Sequence, residues 1–437
     1  MKKLLAIIVL VGLSSPWVFG VPQDPPVFIR GIRPLGMGGA FTALADDQNA
    51  VFYNPAALTQ REGSLLTAFE FPITVSEDFL EFYDFIDSEQ DNLEKFDELT
   101  AAKQTELIRE INNDISKLSN RLVLGPQVNY LSGGQGLFNW GVGLYTKFDA
   151  QFRLRMDMVT PSLDIATYGD VVFIVPLAKG WNDVTVPYFP GRSFTIPGKL
   201  SVGANYKRIL RTSIVESRFD VTLMDSYEPL PQFGDGWELD IASLYELNRK
   251  WAFGLTITDI TRNKIKYGYV SEMQTANDGT VSLTEKQSYV SSIPAEVNVG
   301  VAFRPQRFYY FPGKYLDSGD RLTLLADVRD VLSAEEKVTE ETFWAKLHLG
   351  AEYSWFLFQF RGGLNQGYPT IGLGVSLLAL KIDYAFFTDE LGRFAGQRPQ
   401  SNHMVSIALR FGGSKGRARE QARNNQEIIK QAKLDIQ

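Results

Sequence analysis

The 437-residue chain has no cysteine and only two histidines. Without cysteine it can form no disulfide framework, no thiolate nucleophile, no Cys-based metal site and no lipoprotein anchor. The histidines, His348 and His403, lie far apart in sequence, and the chain has no HExxH, Gly-x-Ser-x-Gly or Walker motif. We therefore expect a protein that is not an enzyme and that needs no metal ion and no cofactor.

A basic surface is also missing. The formal net charge is -7 and the isoelectric point is near 5.2. Nucleic acids are bound mainly through lysine and arginine side chains that neutralise phosphates. This charge balance argues against a nucleic-acid partner.

Apolar runs are too short for a membrane-spanning helix, which needs about 20 residues. The clearest run lies at the start, where Lys2 and Lys3 precede apolar residues 4–13 and small residues lead to Gly20. This order is typical of a secretory signal peptide, so we expect residues 1–20 to be removed near Gly20. The mature protein is then exported, and it is either soluble or a β-barrel.

Alternation of bulky and small residues dominates the chain from Ser64 onward. At positions 251, 253, 255 and 257 large apolar residues alternate with small or polar ones, and the charged residues of later segments lie on the less apolar face. A soluble sandwich would show the same alternation, but few helical segments are available to cover its apolar face. Aromatic residues near many strand ends favour lipid-facing girdles. We expect an all-β fold, a transmembrane antiparallel β-barrel that occupies residues 61–412.

The number of strands follows from counting these segments. An even number of strands places both ends of the sheet in the periplasm, so links after even strands should be short. The links at 179–194 and 306–319 are longer than this rule expects, and the long links at 211–235 and 264–292 lie outside the cell. We predict fourteen strands, at 63–75, 121–131, 138–157, 163–178, 195–210, 236–248, 251–262, 293–305, 320–331, 342–354, 356–365, 370–377, 379–388 and 402–412.

Residues 76–119 interrupt the strand pattern. The segment is acidic, and its apolar residues recur at helical intervals. We expect a helical extracellular loop after the first strand. Its apolar stripe is either a hydrophobic ligand entrance at the barrel mouth or a surface that packs on its own protein. The residues of the predicted entrance are Phe79, Phe82, Phe85 and Ile86.

Charges of both signs are expected inside the barrel. Such charges pair with one another and fill the lumen, which argues against an open pore for small solutes. His348 shares the inward face and is expected to be hydrogen-bonded there, whereas His403 lies near the start of the last strand. After Phe411 the residues 413–437 turn basic, and we predict a periplasmic tail that is either solvated or docked on a partner.

The segment from Arg30 to Leu58 reads RGIRPLGMGGAFTALADDQNAVFYNPAAL. Its glycines permit close backbone approach, and Asn54 can cap a helical turn that begins at Pro55. Taken alone, this pattern indicates a compact capping segment. The motif residues are Gly36, Gly38, Gly39, Asp46, Asp47, Asn54 and Pro55, together with Met37, Ala40, Ala45, Ala50 and Ala56.

These residues resemble the opening of the FadL-like superfamily of outer-membrane barrels, the long-chain fatty-acid transporter type, and its PorV and TraF-like relatives. The resemblance continues more loosely through 236–245, 293–305 and 349–374, and the second half looks closest to the PorV and TraF-like branch. A short hatch, the helical insertion and the basic tail depart from the pattern. Substrate identity is therefore not carried over from the family.

The resemblance implies that residues 21–60 form an N-terminal luminal hatch and that the protein lies in the cell outer membrane. It implies uptake or passage of hydrophobic small molecules such as fatty acids through a hatch-gated barrel. The alternative is a PorV or TraF-like scaffold in a secretion or transfer assembly, with a protein partner at the extracellular loops or the periplasmic tail. Outer-membrane lipid is an expected partner in both cases.

Overall fold

Fourteen antiparallel strands form one closed sheet. In the computed structural model the first strand pairs with the last over its whole length, from Leu65 opposite Gly412 to Ser76 opposite Asn402. A closed sheet leaves no strand edge unpaired, which is the condition for placing strands in hydrocarbon. The structure describes residues 29–61, 63–115, 118, 120–133, 137–157, 160–189, 192–222, 232–248, 250–261, 264–267, 270–275, 281–286, 290–292, 295–305, 307–311, 314–317, 322–331, 340–355, 357–391 and 396–412.

The barrel strands follow one another around the wall in chain order. Three of them are interrupted, so that each of these three consists of two pieces. The strands are β1 Leu65–Ser76, β2 Asn120–Leu124 with Gln127–Leu131, β3 Asn139–Asp157, β4 Thr160–Phe189, β5 Arg192–Asp220, β6 Gln232–Glu246, β7 Trp251–Thr258 with Lys264–Tyr267, β8 Val290–Ser292 with Glu296–Phe303, β9 Leu322–Val328, β10 Leu347–Trp355, β11 Phe358–Asn365, β12 Tyr368–Leu377, β13 Leu380–Glu390 and β14 Pro399–Gly412.

The barrel and its strand number confirm the prediction, but two links do not have the predicted form. Residues 179–194 are no loop, because β4 and β5 run on as a paired hairpin to Phe189 opposite Arg192. Beyond the barrel rim this hairpin has no lipid-facing and no luminal face, so apolar and polar residues need not alternate along it. The link at 306–319 likewise contains a hairpin, Arg307–Phe311 with Lys314–Asp317. A further hairpin, Val270–Thr275 with Val281–Lys286, follows β7.

The two faces of the wall differ as the alternation predicts. In β7 the side chains of Trp251, Phe253 and Leu255 point outward and are exposed, whereas Ala252 and Thr256 point inward and are buried. Aromatic rings also meet near one rim, for example Trp251 and Phe303 with ring centroids 4.4 Å apart. An outward apolar band with aromatic residues at its border is the surface that a bilayer requires.

The two ends of the barrel differ in their connections. The turn end is the rim where β1 starts and β14 ends, and most links at this rim are short. The loop end is the opposite rim, which carries the helical insertion between β1 and β2. In the described part of the chain, no helix is both long and apolar enough to cross a membrane.

The helical insertion contains two helices that pack on their own protein. Helices Phe79–Glu94 and Ala101–Asn113 are joined through a short 3-10 turn at Phe96–Glu98. Their buried side chains form a cluster with residues of β3 and β4 that extend past the barrel rim, so the helices are anchored to the wall. The cluster comprises Phe82, Phe85, Leu93, Phe96, Leu107, Ile111, Ile115, Leu154, Leu163, Ile165 and Val221.

The N-terminal segment lies inside the barrel. It contains the short helices Ile32–Gly36 and Ala50–Tyr53 and a 3-10 helix Pro55–Gln60, and nearly all of its residues are buried. One further helix, Glu340–Lys346, leads into β10 at the loop end. The predicted signal peptide 1–20, the start of the predicted hatch at 21–28 and the predicted tail 413–437 lie outside the described residues.

We expect Leu107→Ala to open the helical insertion without opening the barrel. Leu107 is completely buried in the insertion cluster, and such truncations cost about 2–5 kcal/mol. Limited proteolysis should cut between the two helices, while the barrel keeps its heat-dependent migration on SDS gels. The control is Leu80→Ala, because Leu80 is 68% exposed on the same insertion. Equal proteolysis of both variants would contradict this account of the cluster.

A plugged lumen with two cavities as the candidate functional site

The hatch, residues 29–61, is the only part of the described chain that crosses the lumen. Its last turn begins as the sequence predicts, because the Asn54 side chain accepts a hydrogen bond from the Ala56 backbone N–H at 3.0 Å and Pro55 opens the 3-10 helix. The Asn54 amide also donates to the backbone carbonyls of Thr42 and Ser243 at 2.8 and 3.1 Å. One side chain therefore closes the turn, joins two parts of the hatch and ties the hatch to β6.

Glycines in the wall let the hatch backbone lie directly against the strands. A Cβ at Gly254 would come within 2.3 Å of the Thr42 carbonyl oxygen, and one at Gly350 within 2.4 Å of the Met37 carbonyl oxygen. Gly203 faces the Ala56 nitrogen at 2.3 Å in the same way. These distances leave no room for a methyl group, so the wall and the hatch fit each other at backbone level.

The motif glycines of the hatch have different roles. Gly36 meets the Gly372 Cα atom of β12, where an added Cβ would lie 2.9 Å away. Gly38 has a φ of +64° and Gly39 a φ of +82°, in a backbone region that residues other than glycine rarely adopt. The Gly38 carbonyl lies 2.8 Å from Nδ1 of His348. His348 is thus a hydrogen-bonded lumen residue, as predicted.

Polar side chains of the wall satisfy the hatch backbone. The Asp327 carboxylate accepts hydrogen bonds from the Phe41 and Thr42 N–H groups at 2.7 and 2.8 Å. The Asn205 amide donates to the Val51 carbonyl at 2.6 Å, and the Thr256 hydroxyl donates to the Tyr53 carbonyl at 2.8 Å. Buried backbone groups without such partners would each cost free energy, so these contacts are a condition for placing a hatch in the lumen.

Arg33 is the electrostatic centre of the hatch. Its Nε and Nη2 donate to the two oxygens of Glu352 on β10 at 2.7 and 2.6 Å. Its Nη1 donates to Asp46 at 2.5 Å and to Asp47 at 3.0 Å, and the guanidinium lies over the Phe41 ring. Arg33 therefore holds the two motif aspartates and one strand of the wall in a single fork of donors.

Charge pairing continues from Glu352 into the wall. Arg361 donates to Glu352 at 2.8 Å and to Asp383 at 2.7 Å, and Lys381 pairs with Asp383 at 3.1 Å. Burial by itself would raise the pKa of Asp47, but the positive charges of Arg33, Lys381 and Arg410 outweigh burial and lower it. The mixed charges thus pair inside the lumen, as the sequence predicts.

A cavity of about 480 Å³ lies on the loop side of the hatch. One part of its lining is apolar and includes Leu35, Phe52, Phe387 and Met404 from the hatch, β13 and β14. The remainder is rich in basic residues of the hatch and wall, several of them in ion pairs. The basic residues of the lining are Arg30, Arg121, Lys147, Arg329 and Lys346.

One ion pair of this loop-side cavity anchors the start of the hatch, and a second group of charges joins two strands of the wall. Arg30 forms a two-pronged contact with Asp389 of β13, one prong of which measures 2.6 Å. Arg121 of β2 binds Asp149 through two hydrogen bonds of 2.9 and 2.6 Å, and Lys147 reaches Asp149 at 3.0 Å. The cavity therefore combines an apolar wall with a fixed set of charges.

A second cavity of about 450 Å³ lies on the turn side of the hatch. It is bordered by Leu378 and Gly412 at the rim, and it reaches Arg33, Asp46 and Asp47 at the hatch. Its lining is much more polar than that of the loop-side cavity. The hatch thus separates two compartments of different chemistry within one barrel.

The residues of the predicted ligand entrance do not face either cavity. Phe82 and Phe85 are buried in the insertion cluster, and Phe79 and Ile86 are half-buried at the insertion surface. Sequence reasoning did not single out Arg33, Arg61 or the wall glycines. For Arg33 a usable signal was present, because it lies between two glycines and the hatch also contains the adjacent pair Asp46 and Asp47. Among the described residues, no group of three or more acidic residues or histidines could hold a metal ion.

Solved structures with a similar architecture include a monoaromatic hydrocarbon channel, a toluene transporter and a FadL homologue. A TodX deltaS2S3 mutant, a monoaromatic hydrocarbon channel, is 11% identical, with 87% of this chain and 98% of that chain covered and a TM-score of 0.50. The toluene transporter TbuX of Ralstonia pickettii is 15% identical, with 87% and 97% covered and a TM-score of 0.49. A FadL homologue of Pseudomonas aeruginosa is 11% identical, with 92% and 98% covered and a TM-score of 0.43.

The chain has the barrel fold of the TodX mutant. The match to the TodX mutant carries this statement, and the closed fourteen-strand sheet with an N-terminal helical segment in the lumen agrees with it. No family model and no curated protein sequence matches the chain. At such low identity the likeness extends to the fold and not to the compound that is carried.

We expect Gly350→Ala to loosen the hatch, because the new Cβ would overlap the Met37 carbonyl. Overpacking of this kind costs about 1–3 kcal/mol. Hydrogen exchange of peptides from residues 31–61 should become faster in this variant. Gly362→Ala on the neighbouring strand is the matched control, since its nearest atom, the Thr370 oxygen, would be 3.8 Å away. Unchanged exchange in Gly350→Ala would contradict the close fit.

Proposed function

We propose that this protein is an outer-membrane channel for hydrophobic compounds, with the loop end outside the cell and the turn end in the periplasm. The observation that carries the proposal is the closed barrel divided by a docked hatch into two cavities. The hydrocarbon and toluene transport named for the similar structures supports a hydrophobic cargo. The size of the loop-side cavity is within the range of about 300–1,000 Å³ that is usual for small-molecule sites.

The lining of the loop-side cavity favours an amphipathic cargo such as a fatty acid. Leu35, Phe387 and Met404 supply an apolar surface, and basic side chains such as Arg121 and Lys147 lie in the same lining. A chain of methylene groups gains about 0.8 kcal/mol for each group removed from water. A carboxylate head would gain charge-assisted hydrogen bonds from the basic side chains.

Expulsion of the entire hatch is too costly to be the transport step. The charged hydrogen bonds at Asp327, Glu352 and Asp389 each contribute about 1.5–3 kcal/mol, and each neutral one contributes about 1 kcal/mol. Their sum is on the order of 10 kcal/mol, whereas a micromolar ligand supplies about 8 kcal/mol in all. Only the part of that binding energy that differs between the two hatch states can shift them. The proposal is therefore a local shift beside a hatch that stays docked.

The side of the lumen next to β1 and β2 is the proposed route. Hydrogen bonds fix the hatch to strands from β5 to β13 and to β3, where the Asn139 amide donates to the Leu58 carbonyl at 2.9 Å. The loop-side cavity instead extends to Pro72, Val123 and Gly125. The β2 strand is interrupted between Leu124 and Gln127, and its Gly125 N–H still donates to the Pro72 carbonyl at 3.1 Å. A cargo at this interruption can leave sideways through the wall or continue along it toward the turn end.

The helical insertion is proposed as the place where the cargo first binds. Phe79 and Ile86 are half-buried on the helix Phe79–Glu94, whereas Phe82 and Phe85 stabilise the insertion from within. Of the four predicted entrance residues, the proposal therefore keeps Phe79 and Ile86. The inner two maintain the shape of the insertion.

We expect Val123→Trp to block binding in the loop-side cavity. The indole would occupy the cavity where β2 is interrupted, so the cargo loses its space. Native mass spectrometry of the barrel, taken from its own outer membrane in mild detergent, should show a retained lipid or fatty acid in the unchanged protein and none in the variant. Val128→Trp is the matched control, because Val128 is 41% exposed on the outward face of the same strand.

Retention of the same ligand by Val123→Trp would place the ligand outside the cavity and would overturn the channel proposal. A protein that co-purifies in place of any ligand would do the same, and it would favour a scaffold function.

We also expect the double variant Phe79→Glu, Ile86→Glu to slow uptake of a labelled fatty acid by cells that carry the barrel. Two carboxylates would repel an acidic cargo and remove apolar surface at the insertion. The final amount of ligand retained by the purified barrel should not change, because the cavity is intact. Unchanged uptake rates would place the entrance elsewhere. Phe79→Leu, Ile86→Leu is the control that keeps the surface apolar.

The second candidate function is a PorV or TraF-like scaffold in a secretion or transfer assembly. The observation that favours it is the hairpin of β4 and β5 that projects beyond the barrel at the turn end. In this hairpin Phe194 is 59% exposed, and Thr185 and Thr195 are exposed on the other face. Among the described residues, both edges of the hairpin are without a pairing strand beyond the pairs Asn139 to Ala178 and Lys199 to Glu246. Such edges suit the addition of a partner strand.

A further inference from the structure

The turn-side cavity contains a buried arginine, Arg61, that has no carboxylate partner within hydrogen-bonding distance among the described residues. Arg61 is 8% exposed, and its Nη1 donates to the backbone carbonyl of Asp46 at 3.1 Å. Its Nε has no hydrogen-bond partner. A buried guanidinium without a counter-charge is costly, so an unpaired one that lines a cavity indicates a missing anion.

Two more arginines present unused donors to the same cavity. Nη2 of Arg361 and Nε of Arg410 are buried and have no hydrogen-bond partner, and both residues line the cavity together with Arg61. The opposing carboxylates are occupied. Glu352 accepts from Arg33 and Arg361.

The other acids beside this group are occupied as well, because Asp46 and Asp47 accept from Arg33. Glu70 accepts from Arg410 at 2.8 Å and from the Ser406 hydroxyl at 3.2 Å. The neighbouring acids therefore already have cationic partners, and unused donors remain on arginines that line the cavity. The pKa of Arg61 is lowered, first by burial and then by the positive charge of Arg410, against the opposing effect of Asp47.

We propose that the turn-side cavity is a binding site for one anionic head group, a carboxylate or a phosphate, with Arg61 as its main donor and Arg361 and Arg410 beside it. Planar guanidinium groups bind both kinds of anion through paired N–H donors. As an anion site it stands independently of transport. Its role as the place where a passing amphipathic molecule leaves its head group before release rests on the proposed function.

The test is calorimetric titration of the full chain in a non-ionic detergent, with a chloride buffer. The probes are sodium octanoate, inorganic phosphate and the neutral 1-octanol. We expect at least one of the two anions to bind, and Arg61→Gln to weaken it at least tenfold, with partial recovery in Arg61→Lys. Arg155→Gln is the matched control, because Arg155 pairs with Asp164 on the wall near the loop end. Binding of 1-octanol should not depend on Arg61.

The two anions distinguish the source of the head group. Octanoate alone identifies the carboxylate of an amphipathic molecule, phosphate alone identifies a phosphate, and binding of both identifies a general anion site. Binding of neither anion, or equal affinity in the unchanged protein and Arg61→Gln, would overturn the proposal. Val123→Trp keeps the anion site while it blocks the loop-side cavity, so the failure of one proposal is visible separately from that of the other.

Thermal unfolding supplies a second readout, in which Arg61→Gln is expected to raise the measured unfolding temperature although it weakens anion binding. Without octanoate or phosphate, Arg61→Gln removes an uncompensated buried charge, so its unfolding temperature should rise above that of the unchanged protein. Addition of the bound anion should raise the unfolding temperature of the unchanged protein but not that of the variant. A lower unfolding temperature for Arg61→Gln in chloride would show that Arg61 already has a counter-charge within the chain, and the anion site would be rejected.

Discussion

A folded segment can remain inside a closed barrel only if the wall satisfies its buried backbone groups. Short helices leave most of their N–H and C=O groups without partners of their own. In this protein the wall provides them through Asp327, Asn205 and Thr256, and it comes close enough to do so because glycines stand where the hatch touches it. The two cavities, the charge network and the proposed route past the hatch all depend on this backbone-level contact.

Charge within the lumen follows from the same constraint. Once Arg33 lies in the hatch away from water, it needs acidic partners at close range, and Glu352 needs a second cation from the wall. Each ion pair shares a residue with the next, from Arg33 through Glu352 and Arg361 to Asp383. This network fixes the hatch in one position. Arg61 is a member for which the described chain provides a hydrogen bond only to a backbone carbonyl, and it lines the turn-side cavity.

Under the proposed function, the cavities let a plugged barrel pass a small hydrophobic molecule. The loop-side cavity reaches the wall where β2 is interrupted, and the proposed route therefore leaves the contacts that hold the hatch intact. Strands that are paired without interruption offer no such position. The helical insertion buries most of its apolar stripe, and the proposal assigns the first contact with the cargo to the small outer part that remains.

The sequence by itself determined the fourteen-strand barrel, the helical insertion and the Asn54 turn, because each depends on residues that are close together in the chain. The export signal stays a prediction of the same local kind. The hairpin of β4 and β5 was missed because its residues lie outside the bilayer and need not alternate apolar and polar side chains. Only the tertiary structure decided which wall glycines meet the hatch, which acids hold Arg33 and which arginine remains unpaired. These contacts join residues as far apart as Arg33 and Glu352, 319 positions along the chain, and their partners are set by strand register and barrel closure rather than by any local pattern.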